Sequence, residues 1–106
     1  MSSDDFGGTM KAFNLPAATH ALRLVRCDTR RNTFVFYEGV TWPEDPRGIC
    51  GMYLRRAAIC GKIGEGVESD YTADILDANG DILEELPMER KAARYLIEKL
   101  RLRVEK

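Results

Sequence analysis

The sequence predicts an α+β fold: an antiparallel sheet of four or five strands, arranged as hairpins or a meander, with a C-terminal amphipathic helix packed on one face. Three observations predict it. Apolar segments flank the turn residues 77–80, where Asn79 and Gly80 tolerate the backbone of a tight hairpin. A helical pattern runs from Met88 to Arg103, and two strand-like segments lie between Thr19 and Glu38.

Length and composition indicate a single domain. The chain has 106 residues, of which 44% are hydrophobic and 31% charged, so it can bury one core without metal or disulfide. Residues 1–10 are rich in Ser, Asp and Gly and predict a flexible N-terminal tail, which leaves 11–106 as the domain. The net charge is −1, and no apolar run reaches the ~18 residues that span a membrane. An acidic N-terminus without an apolar signal core predicts a cytoplasmic protein.

The first hairpin is predicted from alternation and turn residues. From Thr19 to Cys27, Leu22 and Leu24 share one face of a strand while Arg23 lies on the other. Turn-forming residues follow, and residues 33–38 are rich in aromatic and β-branched side chains. These two segments should pair as adjacent strands.

The segment Ile49–Cys60 permits two interpretations. As a helix, it has Asp45 as N-cap, Pro46 at the first position and Gly61 as its stop. As a strand, it runs from about Met52 to Ile63. Two glycines near its start would each cost a helix about 1 kcal/mol, and the glycines that follow it suit a bulged strand. We therefore favour the strand.

The C-terminal third reads as hairpin and then helix. Strands are expected over Val67–Leu76 and Asp81–Leu86, with Pro87 ending the second. The final helix runs from Met88 to Arg103, and its apolar positions follow the 3.6-residue period. They are Ala93, Leu96, Ile97, Leu100 and Val104.

Charge is segregated along this third of the chain. Residues 63–89 include nine acidic and no basic residues, whereas residues 90–106 include seven basic and two acidic ones. We favour mutual neutralisation of the helix and the hairpin over two separate binding faces. A nucleic-acid interface is the alternative, because arginine binds phosphate bidentately, and its candidate residues are Arg23, Arg26, Arg30, Arg31, Arg90, Arg94 and Arg101. No RNA- or DNA-binding signature accompanies them, and dedicated binders are usually more basic.

The acidic turn does not predict a calcium site. An EF-hand loop with its glycine at Gly80 would place Ile75 and Leu86 where carboxylates are required. The glycine-rich residues 61–66 lack the spacing of a P-loop or a dinucleotide fingerprint. We expect no metal and no cofactor.

Catalysis has few candidates. The one histidine, His20, could form a nucleophilic pair only with Cys50 or Cys60, since Cys27 lies about 20 Å away along the same predicted strand. The three cysteines have no Cys-x-x-Cys spacing, so we interpret them as small hydrophobic residues. The sequence leaves open whether the protein is an enzyme, and it favours a non-enzymatic protein.

The second strand suggests what the protein does. Phe34 and Phe36 alternate with Val35 and Tyr37, so both faces of this strand need apolar cover, and one helix covers only one face. We therefore expect a small, non-enzymatic interaction module that binds protein and forms a homodimer. The nucleic-acid binder is the first alternative, and a small Cys/His enzyme is the second.

Overall fold

The computed structural model describes residues 15–28, 30–31, 33–37, 40–42 and 46–104. The tail predicted at residues 1–10 lies outside these ranges. In chain order the elements are β1 (Ala21–Asp28), β2 (Thr33–Phe36), β3 (Val40–Thr41), α1 (Pro46–Cys60), β4 (Tyr71–Leu76), β5 (Ile82–Met88) and α2 (Arg90–Leu100). The α+β prediction is confirmed.

All strand pairs in the sheet are antiparallel, and the strand order is β2-β1-β4-β5. The remaining strand, β3, also pairs with β1. Val25 pairs with Phe36, but Leu22 pairs with Val40, so the register shifts by one residue between β2 and β3. The two short strands therefore form one interrupted edge of the sheet, and the predicted first hairpin is confirmed.

Residues 52–60, which we interpreted as part of a strand over residues 52–63, belong to the helix α1, so that preference was wrong. Cys50, Leu54 and Ala57 are fully buried at helical spacing, and this burial outweighs the cost of the glycines. The helix begins at Pro46 and is followed by Gly61, whose backbone N–H donates to the carbonyl of Ala57 at 3.1 Å. These are the start and stop signals of the interpretation that we did not favour.

The second hairpin is confirmed at its turn. Gly80 has φ +88°, the left-handed conformation that favours glycine. One carboxylate oxygen of Asp77 accepts hydrogen bonds from the backbone N–H of Asn79 at 2.8 Å and of Asp81 at 2.9 Å. The carboxylate therefore holds the loop closed and sets the register of the flanking strands.

Three predicted boundaries need correction. The strand expected over Val67–Leu76 begins only at Tyr71. Pro87 does not end β5, which continues to Met88; a proline is tolerated there because β5 is an edge strand. The last helix is shorter than the predicted 88–103. It ends at Leu100 because Arg101 adopts a left-handed conformation, with φ 53°, and closes the helix as its C-cap.

Both helices lie on one face of the sheet. They pack against each other, α1 also contacts β1, and α2 also contacts β4. The core lies between the sheet and the two helices. It is formed by every second residue of the strands, on the side that faces the helices, and by the apolar side of each helix. It includes Leu22, Leu24, Leu54, Ala73, Ile75, Leu86, Met88, Ala92, Ala93 and Leu96.

The topology repeats, although the sequence does not. Each half runs strand, edge strand, helix, and the first strands of the two halves, β1 and β4, pair at the centre of the sheet. After α1 the chain forms an antiparallel bridge from Ile63 to Met88 of β5. After α2 it forms the matching bridge from Val104 to Tyr37, next to β2. The two halves therefore share the order of their elements and a bridge that follows each helix.

Candidate interaction surface

The face of the sheet opposite the helices carries the candidate site, which we call the open face. Leu22 and Leu24 of β1 point into the core, so the residues that alternate with them point to the open face. Neighbouring strands extend this surface into a shallow groove of about 340 Å³. Its lining residues are Arg23, Val25, Cys27, Phe34, Phe36, Asp70, Thr72, Asp74, Ile82 and Glu85.

Large apolar side chains are exposed on the open face. Phe34 is 59% exposed, Phe36 is 38% exposed, and Ile82, on β5, is 48% exposed. The two phenylalanine rings stack with their centroids 6.4 Å apart and an interplanar angle of 27°. Contiguous exposed aromatic surface of this kind marks interaction sites in soluble domains.

An ion pair lies at the centre of the same face. Arg23 Nη2 is 3.6 Å from Asp74 Oδ2, and these two residues are direct partners across β1 and β4. The Arg23 guanidinium carbon also lies 5.4 Å from the centroid of the Phe36 ring. The side chain of Asp74 is only 7% exposed, and Arg23 Nε is buried without a hydrogen-bond partner. This ion pair therefore has an unused donor.

Burial dominates the electrostatics of Asp74. Desolvation raises the pKa of its carboxyl group above the ordinary value, the charge of Arg23 lowers it, and the charge of Glu85 raises it further. With Asp70, the groove contains three carboxylates and one cation. This balance disfavours a polyanion on the open face.

The structure does not place all seven predicted arginines together. Arg26 and Arg90 line one cleft with Lys91, but Glu68, Asp70 and Glu89 line it too, so its charges balance. Arg23 is on the open face, Arg30 and Arg31 lie in the turn between β1 and β2, Arg94 lies in a separate groove beside Cys60, and Arg101 caps α2.

The neutralisation of the two charged blocks stays a prediction. In the described residues the arginines of α2 form no ion pair within 4 Å with a hairpin carboxylate, but Arg90 and Lys91 share a cleft with Glu68, Asp70 and Glu89.

The catalytic candidates are also separated. Cys50 is buried, which raises the pKa of its thiol to about 12, and Cys60 is exposed, with its thiol donating to the carbonyl of Arg56 at 3.8 Å. Cys27 is half-buried on the open face. Among the described residues, His20 forms no side-chain hydrogen bond to a cysteine, and no cluster of three His, Cys, Asp or Glu side chains could hold a metal.

No protein-family model, curated protein or solved structure matches this chain. No helix in the described ranges is long and apolar enough to cross a membrane. The functional proposal therefore rests on the geometry of the open face.

Proposed function

We propose that this protein is a small cytoplasmic interaction module that forms a homodimer through its open face. One observation carries the proposal: exposed Phe34, Phe36 and Ile82 surround the partly buried pair Arg23–Asp74, whose Nε donor has no acceptor. A surface of this kind is stabilised when a partner covers the rings and brings a second carboxylate to the exposed part of the Arg23 guanidinium. The three cysteines are free thiols, as expected in a reducing compartment.

The central ion pair favours a second copy as the partner, and the remaining carboxylates of the groove, Asp70 and Glu85, oppose it through like-charge repulsion. Two sheets that pack face to face about a two-fold axis parallel to the strands, between β1 and β4, place each β1 opposite β4 of the other copy. Arg23 and Asp74 occupy the same row of the sheet, so each would face the opposite charge in the second copy. The four charges then alternate in sign, and the exposed part of the Arg23 guanidinium gains a second carboxylate.

The same arrangement covers the aromatic rings. It places β2, with Phe34 and Phe36, opposite β5 of the second copy, where Pro87 lies in the row of Phe36. The ring of Phe36 would thus be covered by Pro87, and Ile82 would lie four residues farther along the strands, in the row of Ala21. Such an isologous interface has the apolar and polar groups that a specific contact needs.

The size of the sheet determines the affinity that we expect for the dimer. Four strands spaced about 4.8 Å apart, each about 20 Å long, give a flat area of roughly 400 Å² before side-chain relief is added. Specific interfaces bury about 800 Å² on each partner, and weaker ones start near 500 Å². We therefore expect a dimer with a dissociation constant in the micromolar range.

The test is analytical ultracentrifugation of the full chain over a dilution series from about 1 to 500 µM, a range that brackets the expected affinity. The wild-type chain should dimerise, and Phe34→Ser should weaken the dimer at least tenfold, or about 1.4 kcal/mol. The matched control is Ile59→Ser, because Ile59 is 81% exposed on α1, away from the sheet. A wild-type monomer at all concentrations, or equal loss in the control, would refute the proposal.

A charge swap tests the geometry itself. Arg23→Asp combined with Asp74→Arg keeps one charge of each sign in the same row, so the double variant should still dimerise. Arg23→Met should weaken dimerisation, because it removes the cation that faces the second copy. Dimerisation unchanged in Arg23→Met would show that the ion pair lies outside the interface.

A further inference from the structure

We infer that the outer surface of the two helices binds the phosphate backbone of a nucleic-acid duplex. This inference does not depend on the proposed dimer. The helices α1 and α2 contain seven basic residues and one acidic residue, whereas the chain between them, residues 61–89, contains nine acidic residues and one basic residue. The helix face, as we name it, comprises Arg55, Arg56, Arg90, Lys91, Arg94 and Lys99.

The cations of the helix face form no close ion pairs. In the part of the chain that the structure describes, no carboxylate lies within 4 Å of their charged groups, but Arg90 and Lys91 share a cleft with Glu68, Asp70 and Glu89. Arg55 is partly exposed and the other five are exposed; the ammonium group of Lys99 lies 5.9 Å from the centroid of the Tyr95 ring. The cations outside this cleft are therefore the most available to a partner in solution.

The cations of α2 gather where the two helices meet. The helices pack against each other, and a groove of about 360 Å³ beside Cys60, at the end of α1, is lined by Lys91, Arg94 and Lys99 and by one carboxylate, that of Glu98. Arg90 and Arg94 are one helical turn apart, a rise of about 6 Å along α2. Their spacing along a rigid helix suits successive phosphates, because each guanidinium can bind one phosphate bidentately.

The chemistry of the helix face favours a duplex over single-stranded nucleic acid. Single strands bind to aromatic platforms on which the bases stack, and the exposed phenylalanines of this protein lie on the opposite side of the sheet. The tyrosines of the helices, Tyr53 and Tyr95, are partly buried against the core. Cations without exposed aromatic rings recognise the backbone and not the bases.

An anionic membrane fits less well. A helix that lies in a membrane interface needs a broad apolar surface, and Ile59 is the one large hydrophobic residue of the described helices that is markedly exposed. The acidic residues of 61–89 would also be repelled by either polyanion. Because Glu68, Asp70 and Glu89 lie beside Arg90 and Lys91, binding should place the duplex toward the Arg94 and Lys99 end of the helix face.

The test is fluorescence anisotropy with a labelled duplex of about 20 base pairs, titrated with the full chain at several salt concentrations between about 20 and 200 mM. We expect micromolar binding at low salt that is independent of base sequence. Contact with about four phosphates predicts a slope of log affinity against log salt near −3.6. Arg90→Gln with Arg94→Gln should flatten this slope by about 1.8 and weaken binding at least tenfold.

The control removes the same charge elsewhere. Arg30→Gln with Arg31→Gln, in the turn between β1 and β2, should leave the slope unchanged. Arg55→Gln with Arg56→Gln tests the helix face independently of α2, and the thermal midpoint of each variant shows whether it is folded. Phe34→Ser should bind the duplex normally, which separates this surface from the dimer interface.

Several results would overturn the inference. These are the absence of duplex binding at about 100 µM protein and low salt, equal losses in the turn control, or tighter binding to the matching single strand. Binding to phosphatidylserine vesicles without binding to the duplex would show instead that the surface serves a membrane.

Discussion

Gly61→Ala tests how closely the end of α1 approaches the start of α2. A Cβ at this position would lie 2.9 Å from the backbone nitrogen of Ala92, 3.2 Å from the Cβ of Glu89 and 3.3 Å from the Cβ of Lys91. The nearest atom belongs to the backbone of α2 and cannot move by rotating a side chain. The backbone N–H and carbonyl of Lys62 also bond to Glu89, so the segment cannot shift away easily.

The expected cost follows from two opposing effects. Overpacking of this kind destabilises by about 1–3 kcal/mol, whereas replacing glycine lowers the entropy of the unfolded chain and returns about 0.4–1 kcal/mol. We expect a net loss of about 1–2 kcal/mol. For a domain of this size the thermal midpoint should fall by about 5–10 °C.

Gly51→Ala is the matched control for this experiment. Gly51 lies inside α1, and a Cβ there would meet only the end of the flexible Arg55 side chain, at 3.3 Å. Because alanine favours the helix interior by about 1 kcal/mol, this variant should be as stable as wild type or more stable. Urea denaturation of both variants measures the difference. An unchanged Gly61→Ala variant, or equal losses in both, would refute the close packing of the two helices.

Two further predictions concern pH and thiol reactivity. The raised pKa of Asp74 means that the folded state binds its proton more tightly than the unfolded state, so this group's contribution to stability rises as pH falls from neutral. The stability of wild type relative to Asp74→Asn, measured by urea denaturation, should therefore be greater near pH 4 than near pH 7; the reverse trend would mean that the charge of Arg23 outweighs burial. Thiol labelling of the native protein should modify Cys60 first and leave Cys50, whose pKa is about 12, unmodified until unfolding. Rapid native labelling of Cys50 would contradict its burial.

Local signals predicted the hairpins and the last helix well. The turn at Asp77–Gly80 and the alternation around Leu22 and Leu24 depend on neighbouring residues, so a single sequence contains them. The segment 49–60 was harder, because its glycines disfavour a helix locally and the burial of Leu54 that outweighs them depends on the rest of the fold.

The open face was predicted only in part. The alternation of Phe34 and Phe36 indicated an uncovered surface, and the placement of Arg23 opposite Leu22 and Leu24 was available from the strand pattern. The pairing of Arg23 with Asp74 could not be predicted, because the two residues are far apart in sequence and meet only through the register of β1 and β4. The separation of Arg23 from Arg26 and Arg90 likewise depends on which side of the sheet the helices cover.

The bridges that follow each helix determine whether another chain can add a strand to the edges of this sheet. A free edge strand offers unpaired N–H and C=O groups to any other chain and is a common route to fibrous aggregation. Ile63 partly occupies the outer side of β5, where Gly64 also donates to the carbonyl of Pro87 at 2.8 Å, and Val104 occupies the position next to Tyr37. Deleting the residues after Leu102 keeps this buried core residue and should expose one of these edges. The shortened chain would then extend its sheet from molecule to molecule, and we expect thioflavin-positive fibres that the 106-residue chain does not form.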